Sequence, residues 1–415
     1  MQDTNEVARE TGTRPLSGRI HLLGIGNVGS FVAHSLAGRQ SPPPMTLLLH
    51  HSNVYRSWIS KKECIAINVN GLDDVKSGFD VNVKSSDSDT WYSLPWDKEG
   101  TSEERDRILS EKLKDGNIEK SLAQSEVDDS TIECAIVTVK ANQTVRAVSS
   151  IRHRLTRDST ILLLQNGMGT IDELNEKVFP DPSNRPHYMT GIFSHGLYQM
   201  SPFQVVHTGI GTTVLSPAPS REVAATAGDN AADWAPTTKY LLRTLTLTPP
   251  LVAFAETPSS IVQYQLEKLA MNAVINPLTS LMECKNGEIL YNYKFTRVMR
   301  LLLIEISSVI LALPEVQGIP GIEARFDPER LRWMAVQLAS KTRHNMSSML
   351  QDMLSGKATE IEYINGYIVR RGEELGIKCV VNFMIKEMVQ ARVALLHQRE
   401  SGAVPMDLSG FEDEQ

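Results

Sequence analysis

Short apolar runs alternate with helical spacing through the first 180 residues of the chain. RIHLLGIGNVGSFVAHSL (19–36) passes from an apolar run through a glycine turn into an apolar helical pattern. MTLLLH (45–50), CAIVTVK (134–140) and TILLLQNG (160–167) are three more short runs, and GTIDELNEKVF (169–179) has helical spacing. Buried strands separated by helices predict a parallel, doubly wound sheet. From about residue 258 the pattern changes: helical periodicity covers 259–283, 294–313, 328–354, 359–375 and 382–398, and strand signals disappear. The second half therefore reads as all-helical.

Between the second and third of these strands the chain is long. Residues 84–130 are rich in Ser, Asp, Glu and Lys, with Trp91, Tyr92 and Trp96 as an aromatic exception. They read as an insertion, partly disordered, with one solvated helix near 102–123. A second loose region, 217–236, is rich in Ala, Pro and Asp, and no internal repeat is visible. The expected organisation is a flexible arm (1–18), a sheet domain (19–256), a helical domain (257–400) and a frayed polar tail (401–415).

A length of 415 residues also favours two domains over one core. The net charge of −7 argues against a nucleic-acid partner, while leaving room for an anionic small ligand in a basic site. Cys64, Cys134, Cys284 and Cys379 lie far apart with no metal-ligand spacing, so they read as free thiols and no metal is expected. The first residues have no apolar core, and Asp3, Glu6 and Glu10 weaken a mitochondrial presequence while leaving that location open; the expectation is cytoplasmic. The longest apolar run, 301–313, contains Glu305 and suits a buried helix, so no membrane span is expected. A homodimer is left open.

The glycine turn carries the first chemistry. Gly24, Ile25, Gly26, Asn27, Val28 and Gly29 have G-x-G-x-x-G spacing between an apolar strand and an apolar helix. In that context the first glycine permits a tight turn, the second lets a pyrophosphate approach the backbone, and the third allows close strand–helix packing. The helix adds unpaired N–H groups and its dipole. This nominates a Rossmann-type dinucleotide-binding sheet followed by a helical domain.

The end of the second strand reads HHSNVYRSW, with no acid from 46 until Glu63. A 2′-hydroxyl is usually held by Asp or Glu here; His50, His51 and Arg56 suit a 2′-phosphate, so NADP is preferred. Two further strand ends carry Lys140 with Asn142, and Gln165 with Asn166. Each alone reads equally well as a solvated edge. On the edge nominated by the glycine turn, Lys140 and Asn166 become cofactor candidates.

In the helical half, KLAMNAVIN (268–276) puts Lys268, Asn272 and Asn276 in steps of four on a mostly apolar helix. A solvated stripe would carry varied polar residues. Two short amides and one cation suit a buried polar face, where desolvation eases proton donation from lysine. ECKNGEIL adds Asn286. In HNMSSMLQD, Asn345 and Ser348 are three apart, as on one helix face. SGKATEIE breaks the helix at Gly356 and restarts it at Thr359, with Thr359 and Glu362 at capping-box spacing and Glu360 in the first turn. From position alone, Glu360 is simply a favourable N-terminal helix residue.

Taken together, KLAMNAVINPLTSLMECKNGEIL, NMSSMLQDMLSGKATEIEYINGY, GIGNVG, VTVKANQ and LLLQNGMGTIDEL resemble the motifs of the ketopantoate reductases, in the same order, over about 20–395. The resemblance implies NADPH-dependent reduction of 2-dehydropantoate, a 2-oxo acid, to (R)-pantoate on the way to pantothenate and coenzyme A. It makes Lys268 the general acid and Asn272, Asn276, Asn286, Asn345 and Ser348 substrate contacts. It makes Glu360 a carboxylate near the substrate hydroxyl and the cofactor, and Lys140, Asn166 and Gly196 cofactor contacts. His50 and His51 stand where the family often carries arginine, and the 84–130 insertion has no counterpart in its compact form. Another branched 2-oxo acid as substrate, or a non-catalytic NADPH sensor, are the competing readings.

Overall fold

The computed structural model describes residues 15–85, 88–96, 102–114, 117–218 and 230–401. The chain divides into two units: one of 1–165 with 170–261, the other of 166–169 with 262–415.

The first unit opens with β1 (Ile20–Leu23), α1 (Asn27–Ala37), β2 (Met45–Leu49) and α2 (Ser52–Ser60). The hairpin β3 (Ile65–Val69) and β4 (Leu72–Lys76) follows, then β5 (Asp80–Lys84) and β6 (Trp91–Leu94). Helices α3 (Ser102–Lys112) and α4 (Asn117–Ala123) precede β7 (Cys134–Val137), α5 (Thr144–Ser149), β8 (Thr160–Leu163) and α6 (Thr170–Lys177). β9 (His187–Phe193), β10 (Gly196–Ser201), β11 (Gln204–Gly209), β12 (Thr213–Pro217), α7 (Pro236–Thr246) and β13 (Ala253–Ala255) complete it.

The main sheet runs β13-β12-β9-β8-β7-β1-β2-β5-β6. The six strands from β9 to β5 are parallel, and β8, β7, β1 and β2 among them are the apolar runs read from the sequence. The parallel sheet expected from the sequence forms this core, and antiparallel pairs are added at both edges: β6 pairs with β5, and β12 with β9. A second sheet, β10-β11-β3-β4, was not anticipated. Its Ile65, Ile67, Phe203 and Val205 share one core with Phe31 and Leu36 of α1. Few of its strand positions are buried (Ile65, Ile67 and Val205), so it offers no continuous apolar run.

The insertion carries two helices where one was expected near 102–123. Its described residues form β6 and two helices, with Trp91, Leu109, Ile118 and Leu122 buried. Three apolar side chains packed on α2 outweigh the surrounding charge. The arm's residues 1–14, the stretch 219–229 and the tail from 402 lie outside the described residues.

The second unit contains α8 (Pro258–Met282), which begins just before its boundary, α9 (Tyr293–Ala312), α10 (Ile322–Arg325), α11 (Pro328–Lys341), α12 (Ser348–Leu354), α13 (Asn365–Glu374) and α14 (Val380–Ser401). Leu266, Leu269, Val274, Leu302, Ile306, Phe326, Ile368 and Val389 are among its core residues. The expected helix over 328–354 is two helices. Residues 342–347 turn between them, and Ser347 starts the second by accepting the Leu350 N–H at 3.2 Å. The expected helix over 359–375 starts later, at Asn365, after a 3-10 turn over Ile361–Tyr363. No Thr359 capping box forms there. Glu362 is engaged elsewhere, accepting from Gln390 Nε2 at 2.6 Å and pairing with Lys386 at 3.3 Å. Among the described residues no helix is long and apolar enough to cross a membrane, and no cluster of three or more potential ligands could hold a metal.

Candidate active site

In the first unit the glycine turn joins β1 to α1. Gly24 has φ +103°, and a Cβ there would stand 2.7 Å from the Val139 backbone nitrogen. A Cβ on Gly29 would stand 1.9 Å from the Gly24 carbonyl oxygen, so strand and helix approach as closely as the spacing predicts. At Gly26 a Cβ would meet nothing within 4 Å. The helix start has no side-chain cap and no acid in its first turn. Asn27 Oδ1 is buried without a partner, while Ile25 and Val28 pack against the core. An open backbone edge, a positive helix end and an unused acceptor fit the pyrophosphate and ribose of a dinucleotide.

At the end of β2, His51 Nδ1 accepts the Asn53 N–H at 3.2 Å and so starts α2. Arg56 Nη1 donates to the Leu113 carbonyl at 3.3 Å, which turns it toward the insertion. The parallel register Leu49↔Val83 sets Lys84 beside His50. Partial desolvation, then the charges of His51, Arg146 and Lys84, hold the His50 imidazole below its usual range. Lys84 and Arg146 were not read from the sequence, because neither strand register nor the rotation of α5 shows there. Lys140, half-buried, precedes the 3-10 turn Ala141–Gln143 at the end of β7. Gly196 opens β10, and a Cβ there would meet Thr208 Oγ1 at 2.8 Å, which is reason enough for a glycine.

In the second unit α8 carries the polar stripe. Lys268 and Asn272 are half-buried and Asn276 is 6% exposed, while Leu269, Ala270, Val274 and Ile275 are buried around them. The helix is held beside Lys268 by the buried Glu267, whose carboxylate takes Arg325 Nε at 3.1 Å and Nη2 at 2.8 Å. Burial pushes the Lys268 ammonium down to about 8, and the Glu360 charge works against that shift.

Glu360, 5% exposed, stands immediately before the 3-10 turn rather than in the first turn of a helix. Asn166 Nδ2 donates to its Oε2 at 3.3 Å. The segment 166–169 is fixed there by the Met168 N–H to the Tyr363 carbonyl at 2.9 Å. A Cβ on Gly167 would lie 2.5 Å from that same oxygen, so the approach requires glycine. Lys268, Glu360 and Asn166 thus form one charged and hydrogen-bonded group.

Asn286 and Asn345 form another. The Asn286 N–H donates to the Asn345 carbonyl at 3.0 Å and its Nδ2 to Thr342 Oγ1 at 3.0 Å, while its Oδ1 is buried without a partner. The expected shared helix face for Asn345 and Ser348 is not formed. Asn345 lies in the turn before Ser347, Ser348 begins α12, and both are exposed.

The family model described as "Ketopantoate reductase PanE/ApbA" matches residues 20–220, and its C-terminal counterpart matches residues 260–393. A "Probable 2-dehydropantoate 2-reductase" of Schizosaccharomyces pombe is 28% identical over 384 residues, covering 92% of this chain and 98% of that protein. A "Ketoisovalerate reductase" of Beauveria bassiana is 24% identical over 404 residues, covering 88% and 81%. Among solved structures, D-mandelate dehydrogenase with NADH and anilino(oxo)acetate aligns at TM-score 0.64 and 20% identity, covering 91% of this chain and 99% of that one. With both family models spanning sheet and helices alike, the chain belongs to the ketopantoate reductase family of nicotinamide-dependent oxidoreductases, which reduce 2-oxo acids.

Proposed function

We propose that this chain reduces 2-dehydropantoate to (R)-pantoate with NADPH, a step toward pantothenate and coenzyme A. The observation that carries the proposal is Lys268, with its ammonium at about 8, opposed in charge by Glu360 and heading the Asn272–Asn276 stripe. When bound, NADPH supplies the hydride to the carbonyl carbon. Lys268 gives its proton to the carbonyl oxygen as negative charge develops there, and takes another from solvent. The amide nitrogens of Asn272 and Asn276 hold the substrate carboxylate without adding a charge. Glu360 keeps Lys268 protonated and accepts from the substrate hydroxyl, oriented by Asn166. Asn286 Oδ1 offers a second acceptor. The glycine turn, with Asn27 and Lys140, would hold the pyrophosphate and adjoining ribose. His51, Lys84 and Arg146 would favour a 2′-phosphate.

A different branched 2-oxo acid is the second reading, supported by the Beauveria relative aligned along most of this chain. Steady-state assays with 2-dehydropantoate, 2-ketoisovalerate and phenylglyoxylate, each with NADPH and with NADH, separate the two. The proposal expects the highest kcat/KM for 2-dehydropantoate with NADPH. A higher value for either other acid overturns it, and a higher value for 2-ketoisovalerate favours the second reading.

A further inference from the structure

Helix α8 carries Pro277 in its interior. Proline has no N–H, so the carbonyl four residues earlier, that of Ala273, loses its donor within the helix. Ala273 is fully buried, so water does not replace that donor. Asn365 replaces it: its Nδ2 donates to the Ala273 carbonyl at 2.9 Å. Asn365 is 0% exposed and opens α13.

Its orientation is dictated from behind. Glu305 accepts the Val381 and Asn382 N–H groups, both at 2.9 Å, and Asn382 Nδ2 at 2.8 Å, so it acts as an acceptor throughout. Asn382 must therefore turn its amide nitrogen to Glu305 and its Oδ1 to Asn365, which donates to it at 3.0 Å. The second proton on Asn365 Nδ2 is left for Ala273. Both amides are fully buried, and no other orientation of either satisfies the chain Glu305–Asn382–Asn365–Ala273.

The opposite side of the break is held separately. Thr279 Oγ1 lies 2.7 Å from the Ile275 carbonyl and 2.8 Å from Ser347 Oγ. The interruption thus spans 273–277, beginning just after Asn272 and containing Asn276, the two amides assigned above to the substrate carboxylate. We infer that Asn365, backed by Asn382 and Glu305, is a positioning residue: by catching the carbonyl freed at Pro277 it fixes the placement of Asn276 relative to Asn272. This rests on the proposed substrate role of those two asparagines.

Three variants of the full chain test it: Asn365→Leu, Pro277→Ala and the double variant. Leucine keeps the size and removes the donor. Alanine at 277 returns the N–H, which makes Asn365 dispensable at that carbonyl. The readouts are KM for the 2-oxo acid, KM for NADPH, and hydrogen exchange of the α8 amides over 274–282. Asn365→Leu should raise the 2-oxo acid KM by about tenfold or more, leave that for NADPH unchanged, and speed exchange. The double variant should recover most of both losses, and would do so even if Asn365→Leu alone folds too poorly to assay. An unchanged 2-oxo acid KM in Asn365→Leu, whatever its melting temperature, overturns the inference, as does a double variant no better than the single one. If the unmodified chain turns over no 2-oxo acid, the proposed function fails on that result. The exchange measurement then still decides whether positions 365 and 277 are coupled, and no coupling overturns the inference.

Discussion

As the proposed proton donor, Lys268 would act only while protonated, so its rate contribution should fall as pH rises through about 8. Glu360 raises that value against the desolvation that lowers it. Replacing Glu360 with Gln should therefore move the alkaline limb of the pH–rate profile to lower pH, and a limb left in place would show that the lysine does not feel this carboxylate. The same shift has a sign for stability. Between about 8 and the ordinary lysine value of 10.5, the unfolded chain binds a proton that the native chain has released. Stability should therefore rise with pH across that window, and Lys268→Met should flatten the rise in urea melts at pH 7.5 and 10. The stripe itself is legible in the sequence because a step of four needs only the helical period. The role of Asn365 is not, although Pro277 marks the spot: a proline inside a helix leaves one carbonyl seeking a donor, and only the fold shows which residue arrives.

At the scale of elements, the three glycines of one motif do separable work. Gly26 faces open space, so Gly26→Val should keep the melting temperature near that of the unmodified chain while weakening dinucleotide binding by an order of magnitude or more, measured by titration calorimetry. Gly29 abuts the Gly24 carbonyl, so Gly29→Val should instead lower the melting temperature of the free protein. Equal effects from both would remove the assignment of Gly26 to the phosphate approach. Strands β1, β2, β7 and β8 are legible as apolar runs because both of their faces are covered. The strands of the second sheet bury few positions and give weaker signals. The insertion misleads by composition, since its few buried residues, Trp91, Leu109, Ile118 and Leu122, are spread among many charges. The break at 342–347 is missed because its deciding feature is a serine cap rather than a glycine or proline.

Over the whole molecule, the chain consists of two units. One is built on a mixed sheet with a glycine turn suited to a dinucleotide, the other on helices carrying a lysine, a carboxylate and four amides with chemistry for a 2-oxo acid. The division into a sheet half and a helical half follows from a change of hydrophobic period, which survives in any sequence of this kind. The position of 166–169 does not follow from it, since four residues at the end of β8 belong by their packing to the helical unit. The most direct test of Lys268 as the proton donor is NADPH oxidation with 2-dehydropantoate, measured side by side for the unmodified chain and for Lys268→Ala. Turnover is expected from the former and a loss of roughly 10²–10⁴-fold in kcat from the latter, with NADPH affinity retained. Equal rates from the two chains would contradict that role.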